Sequence, residues 1–293
     1  MSGPLIPDPA APLTASGNLR RRLIVSRAAE IAATAAAVIA IAVLVIVVYT
    51  VVARGAKAID FDFIFTGYPT GVGPMLLGTI VIALVATAMA MPLGVLIALF
   101  LSEYAGSRAA GPLKLTLDLL NGLPSIILGL FVFALLVDHK QQSGFAGSVA
   151  LAIIELPLIA RGSQEVLLLV PEALREASDA LGVARWRSVL TVVLPTALGG
   201  IVTSTVLAVA RAAGETAPLI LASSVFDPKK FSVNPFEALP NVPVWIYKLS
   251  EEGNPEGFTE AWGMSLLLVS IILFASLGAR ALLARSKRKL SSS

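Results

Sequence analysis

Long apolar runs constrain the fold of this chain more than any other feature of its sequence. Six such runs recur along the 293 residues. Each can cross the roughly 30 Å hydrocarbon core of a bilayer as a helix that rises about 1.5 Å per residue. Backbone polar groups in lipid must be paired internally, so the runs predict helices rather than open strands. They lie at about 29–53, 74–102, 114–137, 146–168, 190–223 and 262–284. We therefore expect an all-α, polytopic membrane protein.

The composition excludes several other classes of protein. Residues are 56% hydrophobic and 14% charged, which leaves too little polar surface to cover a soluble domain. The chain has no cysteine, so it has neither a disulfide framework nor a thiolate metal site. Its single histidine, His139, stands in a short loop without metal-ligand spacing. We expect no metal, no other cofactor and no nucleic-acid partner.

The basic residues predict how the chain is oriented. After a polar, Pro-rich and Ala-rich start, four arginines precede the first apolar run, which is too long for a cleavable signal peptide. Of the 22 Lys and Arg residues, 15 lie on the side that holds both termini and six on the other. The positive-inside rule places that side in the cytoplasm. We expect a disordered cytoplasmic tail at 1–28, a transmembrane domain at 29–284 and a basic cytoplasmic tail at 285–293.

Two outer loops, at 54–73 and 224–261, are long. The second holds six acidic residues and three lysines together with Pro, Trp and Tyr, which suggests a structured segment at the membrane interface. It is either a connector with an aromatic belt or a docking surface for an extracytoplasmic partner.

An arginine and a glutamate interrupt the fifth run, in RAAGETAPL at 211–219. Charges within a membrane cost at least a few kcal/mol, so Arg211 and Glu215 should face water or a partner. At a spacing of four they would share one helix face. They are either an ion pair that neutralises itself or an anion contact in a translocation path, with Thr216 beside them. In the second case the planar guanidinium suits an oxyanion, and the carboxylate positions the guanidinium and weakens its hold on the anion.

The third run contains a second interruption, NGLPSIILG. Pro124 removes a backbone donor and restricts Leu123, about 15 Å from the start of the run and thus near the midplane. The run is either kinked or broken, and a broken helix can point free amides at an anion. Ser125 either donates to such an anion or bonds to its own helix. Weaker candidates are the interfacial Asp118, the deeper Glu155, and an i,i+4 pair of Arg161 with Glu165.

A short helix is expected outside the membrane at about 171–190. Pro171 suits its first position, acidic residues follow in its first turns, and Gly182 ends it. It is tied at both ends to spanning helices, so it can pass force from a soluble partner to the bundle. The chain has no G-x4-G-K-[ST] motif, so we expect that ATP is hydrolysed by partner subunits and not by this chain.

This segment resembles the EAA motif of ABC importer permeases. Glu176-Ala177-Ser178, three residues, Gly182, nine residues and Val192-x-Leu194-Pro195 follow its spacing, with Ser178 and Val192 as departures. The resemblance implies the type I ABC importer permease (MetI-like) fold. It also implies that this helix docks into an ATP-binding subunit. The residues it assigns to that coupling are Glu176, Ala177, Ser178, Gly182, Leu194 and Pro195.

From about residue 74 onward the chain is similar to the phosphate-specific permeases of the PstA type. The similar stretches are DLLNGLPSIILGLF, RAAGETAPL and ALPNVPVWIY…EAWG, whereas Glu155 replaces an expected apolar residue. The resemblance implies passage of phosphate along a path with Arg211 and Glu215. It also implies assembly in the cell membrane with a PstC-like permease, a dimer of PstB-like ATP-binding subunits and a PstS-like phosphate-binding protein. Thr216, Ser125 and Pro124 complete the predicted path.

Two alternatives remain open at the level of the sequence. A permease of the same class can carry another oxyanion, namely phosphonate, sulfate or molybdate. A secondary transporter driven by an ion gradient would work as a single chain, but it leaves the EAA-like segment without a role.

Overall fold

The computed structural model describes residues 19–138 and 141–291, so most of the predicted N-terminal tail and His139 lie outside the described residues. The described residues form twelve α-helices and no strands. Two π-helical segments, Phe133–Val137 and Val189–Val193, extend the fifth helix and lead into the ninth. The helices are α1 (Leu19–Gly55), α2 (Phe61–Phe65), α3 (Gly73–Glu103), α4 (Ala110–Gly122), α5 (Ser125–Val132), α6 (Gly144–Leu168), α7 (Glu172–Ala180), α8 (Arg185–Ser188), α9 (Leu194–Ala212), α10 (Ala217–Ala222), α11 (Val242–Glu252) and α12 (Pro255–Ser291).

The expectation of about six spans is confirmed. In the described part of the chain, five helices are long and apolar enough to cross a membrane, and a bent pair of helices brings the number to six. That pair, α4 with α5 and its extension, is bent by 101° and forms the third span. The fifth span also ends early, at Ala212 instead of about residue 223.

The ends of the chain differ from the predicted division. Helix α1 begins at Leu19, inside the segment assigned to a disordered tail, because no glycine or proline interrupts the sequence from there to Arg54. Helix α12 likewise continues through the segment assigned to the basic tail. The described residues form two compact units, one up to Thr50 and one from Val51 onward. The described part of the first unit is a single apolar helix.

Helix α6 lies at the centre of the second unit. It packs along α3 and α9, and α4, α5 and α10 also contact it. Small residues let the backbones approach: a Cβ added at Gly162 would lie 2.6 Å from the Ser204 Cβ, and one at Gly200 would lie 2.3 Å from a Val166 methyl group. Close helix packing around α6 therefore holds the membrane part of this unit together.

The predicted outer loop at 224–261 folds into the unit. It contains α11 and the start of α12, which begins at Pro255 instead of about residue 262. Asn241 is fully buried at its centre, where its amide nitrogen donates to the Ser223 carbonyl (2.8 Å) and its oxygen caps α11 by accepting from Val244 N–H (3.2 Å). The Pro240 carbonyl rests directly on Gly78 of α3, where a Cβ would lie only 1.8 Å from it.

Candidate functional site

The third span is a broken helix and not a kinked one. Leu123 and Pro124 leave the helical conformation, with ψ values of 136° and 132°, and α4 and α5 diverge by 101° at this point. Pro124 has no N–H and disfavours a helical Leu123, so the hydrogen-bond ladder of α4 cannot continue. Pro124 is exposed, and the half-buried Ser125 opens α5, whose first turn has no side-chain cap. The break therefore presents uncapped amides.

A second break follows Arg211. Helix α9 ends at Ala212, the backbone turns through Gly214, and Thr216 precedes α10. Pro218 causes this break, because it has no N–H to donate to the Gly214 carbonyl four residues earlier. Gly214 itself has a low helix propensity. The expectation that Arg211 and Glu215 share one helix face is therefore wrong, because Glu215 lies in the turn.

The side chains at this break have no ion-pair or hydrogen-bond partner among the residues that the structure describes. Arg211 is exposed, and Glu215 and Thr216 are half-buried. In the described chain the two charged groups do not form a salt bridge with each other or with any other residue. The self-neutralising ion pair that the sequence left open is therefore not formed between these two described residues.

The helices that follow the two breaks, α5 and α10, are in direct contact. A Cβ added at Gly129 would lie 2.6 Å from the Pro218 Cα. Leu128 shares a core cluster with Leu219, and Val132 shares another with Ala222, so the two helices run in parallel. The breaks before Ser125 and before α10 consequently lie at the same end of this helix pair.

Arg161, one of the weaker charged candidates, has a different partner from the one predicted. Arg161 pairs with Asp118 of α4, with 2.5 Å between Nη2 and Oδ1, and also donates to the Lys114 carbonyl (3.2 Å). The predicted pair with Glu165 is wrong, because α4 crosses α6 at this point and offers a carboxylate together with a carbonyl. Arg161 therefore joins α4 to α6.

Glu155 is fully buried between α6 and α3. One carboxyl oxygen accepts a hydrogen bond from the Thr87 hydroxyl (3.1 Å), and the other has no partner among the described residues. Within that part of the chain, Glu155 makes no hydrogen bond or ion pair with either helix break. Glu155 was a weaker candidate from the sequence, with no function assigned to it. Its side chain is buried because α6 and α3 pack against each other at this position.

The EAA-like residues divide between a surface and a core. Glu176, Ala177 and Gly182 are exposed. Gly182 has a positive φ of 70° and ends α7, as predicted, because glycine adopts this conformation without strain. Ser178 is buried, and Leu194 packs against a core cluster. Pro195 is exposed at the start of α9.

A comparison with protein families identifies the class to which this arrangement belongs. Residues 90–292 match the family described as binding-protein-dependent transport system inner membrane component. The chain belongs to this family. The match covers both helix breaks and the EAA-like segment. As an inner membrane component with several apolar helices, the chain is a multi-pass membrane protein and a subunit of a transport system.

Relatives of this inner membrane component carry the name phosphate transport system permease protein PstA. PstA 1 of Mycobacterium tuberculosis (strain ATCC 25618 / H37Rv) is 38% identical over 245 residues, which cover 79% of this chain and 78% of the relative. PstA of Xylella fastidiosa (strain Temecula1 / ATCC 700964) is 36% identical over 283 residues, with 94% and 98% covered. The identified resemblance to PstA-type permeases is thereby confirmed.

Solved structures establish the fold of this component. A chain of the inward-facing MetNI methionine ABC transporter matches with a TM-score of 0.59 and 21% identity, covering 73% of this chain and 94% of that one. A chain of a bacterial ABC transporter for the import of alginate, an acidic polysaccharide, matches with a TM-score of 0.63 and 16% identity, covering 90% and 99%. The expected MetI-like permease fold is confirmed.

Proposed function

We propose that this chain is the membrane-spanning permease subunit of an ATP-driven ABC importer for inorganic phosphate. The names of its PstA relatives support phosphate as the cargo over phosphonate, sulfate or molybdate. The family name refers to binding-protein-dependent transport, which does not favour a secondary transporter that works alone. A second permease subunit, PstC-like, completes the translocation path.

The observation that carries this proposal is the exposed Arg211, unpaired in the described chain, at the end of α9. An unpaired guanidinium within a membrane costs about 2.5–3.5 kcal/mol or more if it faces lipid, so it belongs in an aqueous path or at a subunit interface. The planar fork of its guanidinium can bind two phosphate oxygens at once. Arg211 therefore meets the anion.

The neighbouring groups assist Arg211 in this path. Glu215 repels the anion and keeps it from binding too tightly to pass, as conduction requires. Thr216 and Ser125 offer hydroxyl donors, and the break at Pro124 offers the uncapped amides of α5. The parallel contact of α5 with α10 supports this assignment, since it places both breaks at the same end of one helix pair.

Movements of the partner ATP-binding subunits are transmitted to this chain through α7. The exposed residues Glu176, Ala177 and Gly182 form the surface on which a dimer of PstB-like ATP-binding subunits docks. Ser178, Leu194 and Pro195 support that surface from inside and from the start of α9. ATP is bound and hydrolysed by these partners, and this chain alternates between inward-open and outward-open states.

The orientation follows from the same assignment. Both termini and α7 lie in the cytoplasm, and the segment between α10 and α11 faces outward. That segment exposes aromatic side chains at Phe231 and Phe236 and carries Lys229 and Lys230. Of the two alternatives for this segment, we favour a docking surface, on which a PstS-like binding protein delivers phosphate.

The test is Arg211→Gln in the complete four-component transporter reconstituted in proteoliposomes. We expect uptake of radiolabelled phosphate to be abolished, while the subunits still co-purify and ATP is still hydrolysed. Arg108→Gln, at an exposed arginine in the loop between α3 and α4, serves as the matched control and should transport normally. Near-normal uptake by an assembled Arg211→Gln complex would refute the role of Arg211. Uptake of sulfate or molybdate instead of phosphate by the unmodified complex would refute phosphate as the transported anion.

A further inference from the structure

Glu103 is an acidic residue that the proposed path and docking surface do not use. It is the last residue of α3 and is only 6% exposed. Its carboxylate oxygen Oε1 accepts from Arg175 of α7 through Nη2 at 3.1 Å and Nε at 3.3 Å. A buried carboxylate without a partner is strongly unfavourable, so this pairing is what permits Glu103 to be buried at this position.

The same guanidinium also caps α6. Arg175 Nη1 donates to the Val170 carbonyl at 2.7 Å, and Nη2 donates to the Leu167 carbonyl at 2.9 Å. The Leu167 carbonyl lies in the last turn of α6 and the Val170 carbonyl two residues beyond its end, where the helix dipole favours a cation. One side chain of α7 therefore binds the cytoplasmic ends of both α3 and α6.

A second arginine reinforces the contact from the rim. Arg185 of α8 donates to the backbone carbonyl of Glu103, lies 3.9 Å from its Oε2, and stacks over the Tyr104 ring at 5.2 Å. Its side chain is 62% exposed, against 25% for Arg175. The buried pair of Glu103 with Arg175 is thus the main link, and Arg185 supports it at the surface.

Few other contacts among the described residues connect α7 to α3. The backbone of α7 packs chiefly against α8 and the Val189–Val193 segment, so the Arg175 side chain supplies its connection to α3. Helices α3 and α6 pack along most of their lengths. A displacement of α7 that pulls on Arg175 therefore moves both helices together.

We propose that Glu103 and Arg175 form a transmission joint, through which motion of the ATP-binding subunits at α7 drives α3 and α6 as one body. The proposal rests on the proposed function and deepens it, because it names positioning residues that act through α7 and never touch the cargo. An arginine suits this position because its donors lie on three separate nitrogen atoms and reach a carboxylate and two carbonyls, whereas a lysine ammonium donates from a single nitrogen.

The experiment measures phosphate imported per ATP hydrolysed by the complete transporter in proteoliposomes. Arg175→Lys and Arg175→Met should lower this ratio by roughly 2- to 30-fold, the range expected for loss of one coupling contact. ATP hydrolysis should continue, and the subunits should co-purify. Arg108→Met, an exposed arginine outside the joint, is the matched control and should leave the ratio unchanged.

A double variant separates transmission from stability. Replacing a buried ion pair by apolar residues of similar size often restores stability, so Glu103→Leu with Arg175→Met should recover the melting temperature lost in the single variants. If the joint transmits motion, the transport ratio of this double variant stays low. Recovery of the ratio together with the melting temperature would overturn the proposal.

A second variant and two further outcomes complete the test. If the Arg175 variants do not assemble, Glu103→Gln, which keeps the shape but loses the charge, is judged by the same ratio. Uptake and hydrolysis that fall in proportion in an assembled variant would refute the joint. Absence of phosphate uptake by the unmodified complex would refute the proposed function instead.

Discussion

Replacement of Gly129 by alanine tests whether the contact between α5 and α10, the helices that follow the two breaks, matters for transport. The added Cβ would lie 2.6 Å from the Pro218 Cα and 3.3 Å from the Pro218 carbonyl oxygen. The nearest of these atoms belong to the backbone of α10, so no rotamer change can relieve the contact. Alanine favours the helical conformation of α5 more than glycine does, and the clash is therefore the only unfavourable effect expected.

The magnitude follows from this geometry. Carbon atoms are optimally separated by about 3.5–4.0 Å, so α10 must move away from α5 by about 1 Å. Overpacking of this kind costs about 1–3 kcal/mol. The shift also displaces Thr216, next to α10, relative to the first turn of α5. Such misplacement of binding groups by about 1 Å can cost on the order of 100-fold in rate when a site depends on it.

The assay compares Gly129→Ala with Gly122→Ala in the reconstituted transporter. Gly122 ends α4 just before the same break, and a Cβ there would meet no atom within 4 Å. We expect Gly129→Ala to lower both the melting temperature and the rate of phosphate uptake, and Gly122→Ala to change neither appreciably. Equal uptake and equal melting temperatures for the two variants would show that the contact of α5 with α10 does not hold the breaks in place.

Two further predictions concern the outer part of the second unit. Asn241→Ala removes the cap of α11 and a buried bond to Ser223, so the melting temperature should fall by an amount equivalent to about 1–3 kcal/mol. Asn254→Ala, at an exposed cap of α12, is the control and should cost less, and equal losses would contradict the argument. The pKa of Glu237 is lowered by hydrogen bonds from Lys230 and Ser232, so its contribution to the stability of this segment is present above the ordinary carboxyl pKa and is lost as the pH falls through the lowered value. Amide hydrogen exchange at 232–237 should accelerate at acidic pH beyond the intrinsic rate, and the same acceleration in Glu237→Gln would argue against this cause.

Features that depend on local chemistry were predictable from the sequence. The apolar runs predicted the spanning helices because backbone groups in lipid must pair within a helix. Gly182 and Pro124 predicted the end of α7 and an interruption of the third span, since both residues act on their own backbone. The 101° bend itself was not predictable, because α10 packs on α5 after the break and sets its direction.

Pairings between distant residues were not predictable in the same way. Periodicity suggested that Arg161 would bind Glu165 one turn away, yet Arg161 binds Asp118, 43 residues earlier. Glu103 and Arg175 are 72 residues apart and carry no local signal of their contact. Only the crossing of packed helices brings such groups within hydrogen-bond distance.

The sequence by itself determined that this chain crosses a membrane several times, that its third span is interrupted at Pro124, and that Arg211 and an EAA-like helix are its unusual features. Each of these follows from a residue's own backbone freedom, charge or hydrophobicity. The tertiary structure decided that α5 and α10 contact each other through Gly129 and Pro218, that Arg161 pairs with Asp118, and that α7 is anchored to α3. These depend on which helix surfaces pack together, and that is set by shape and burial over the whole unit.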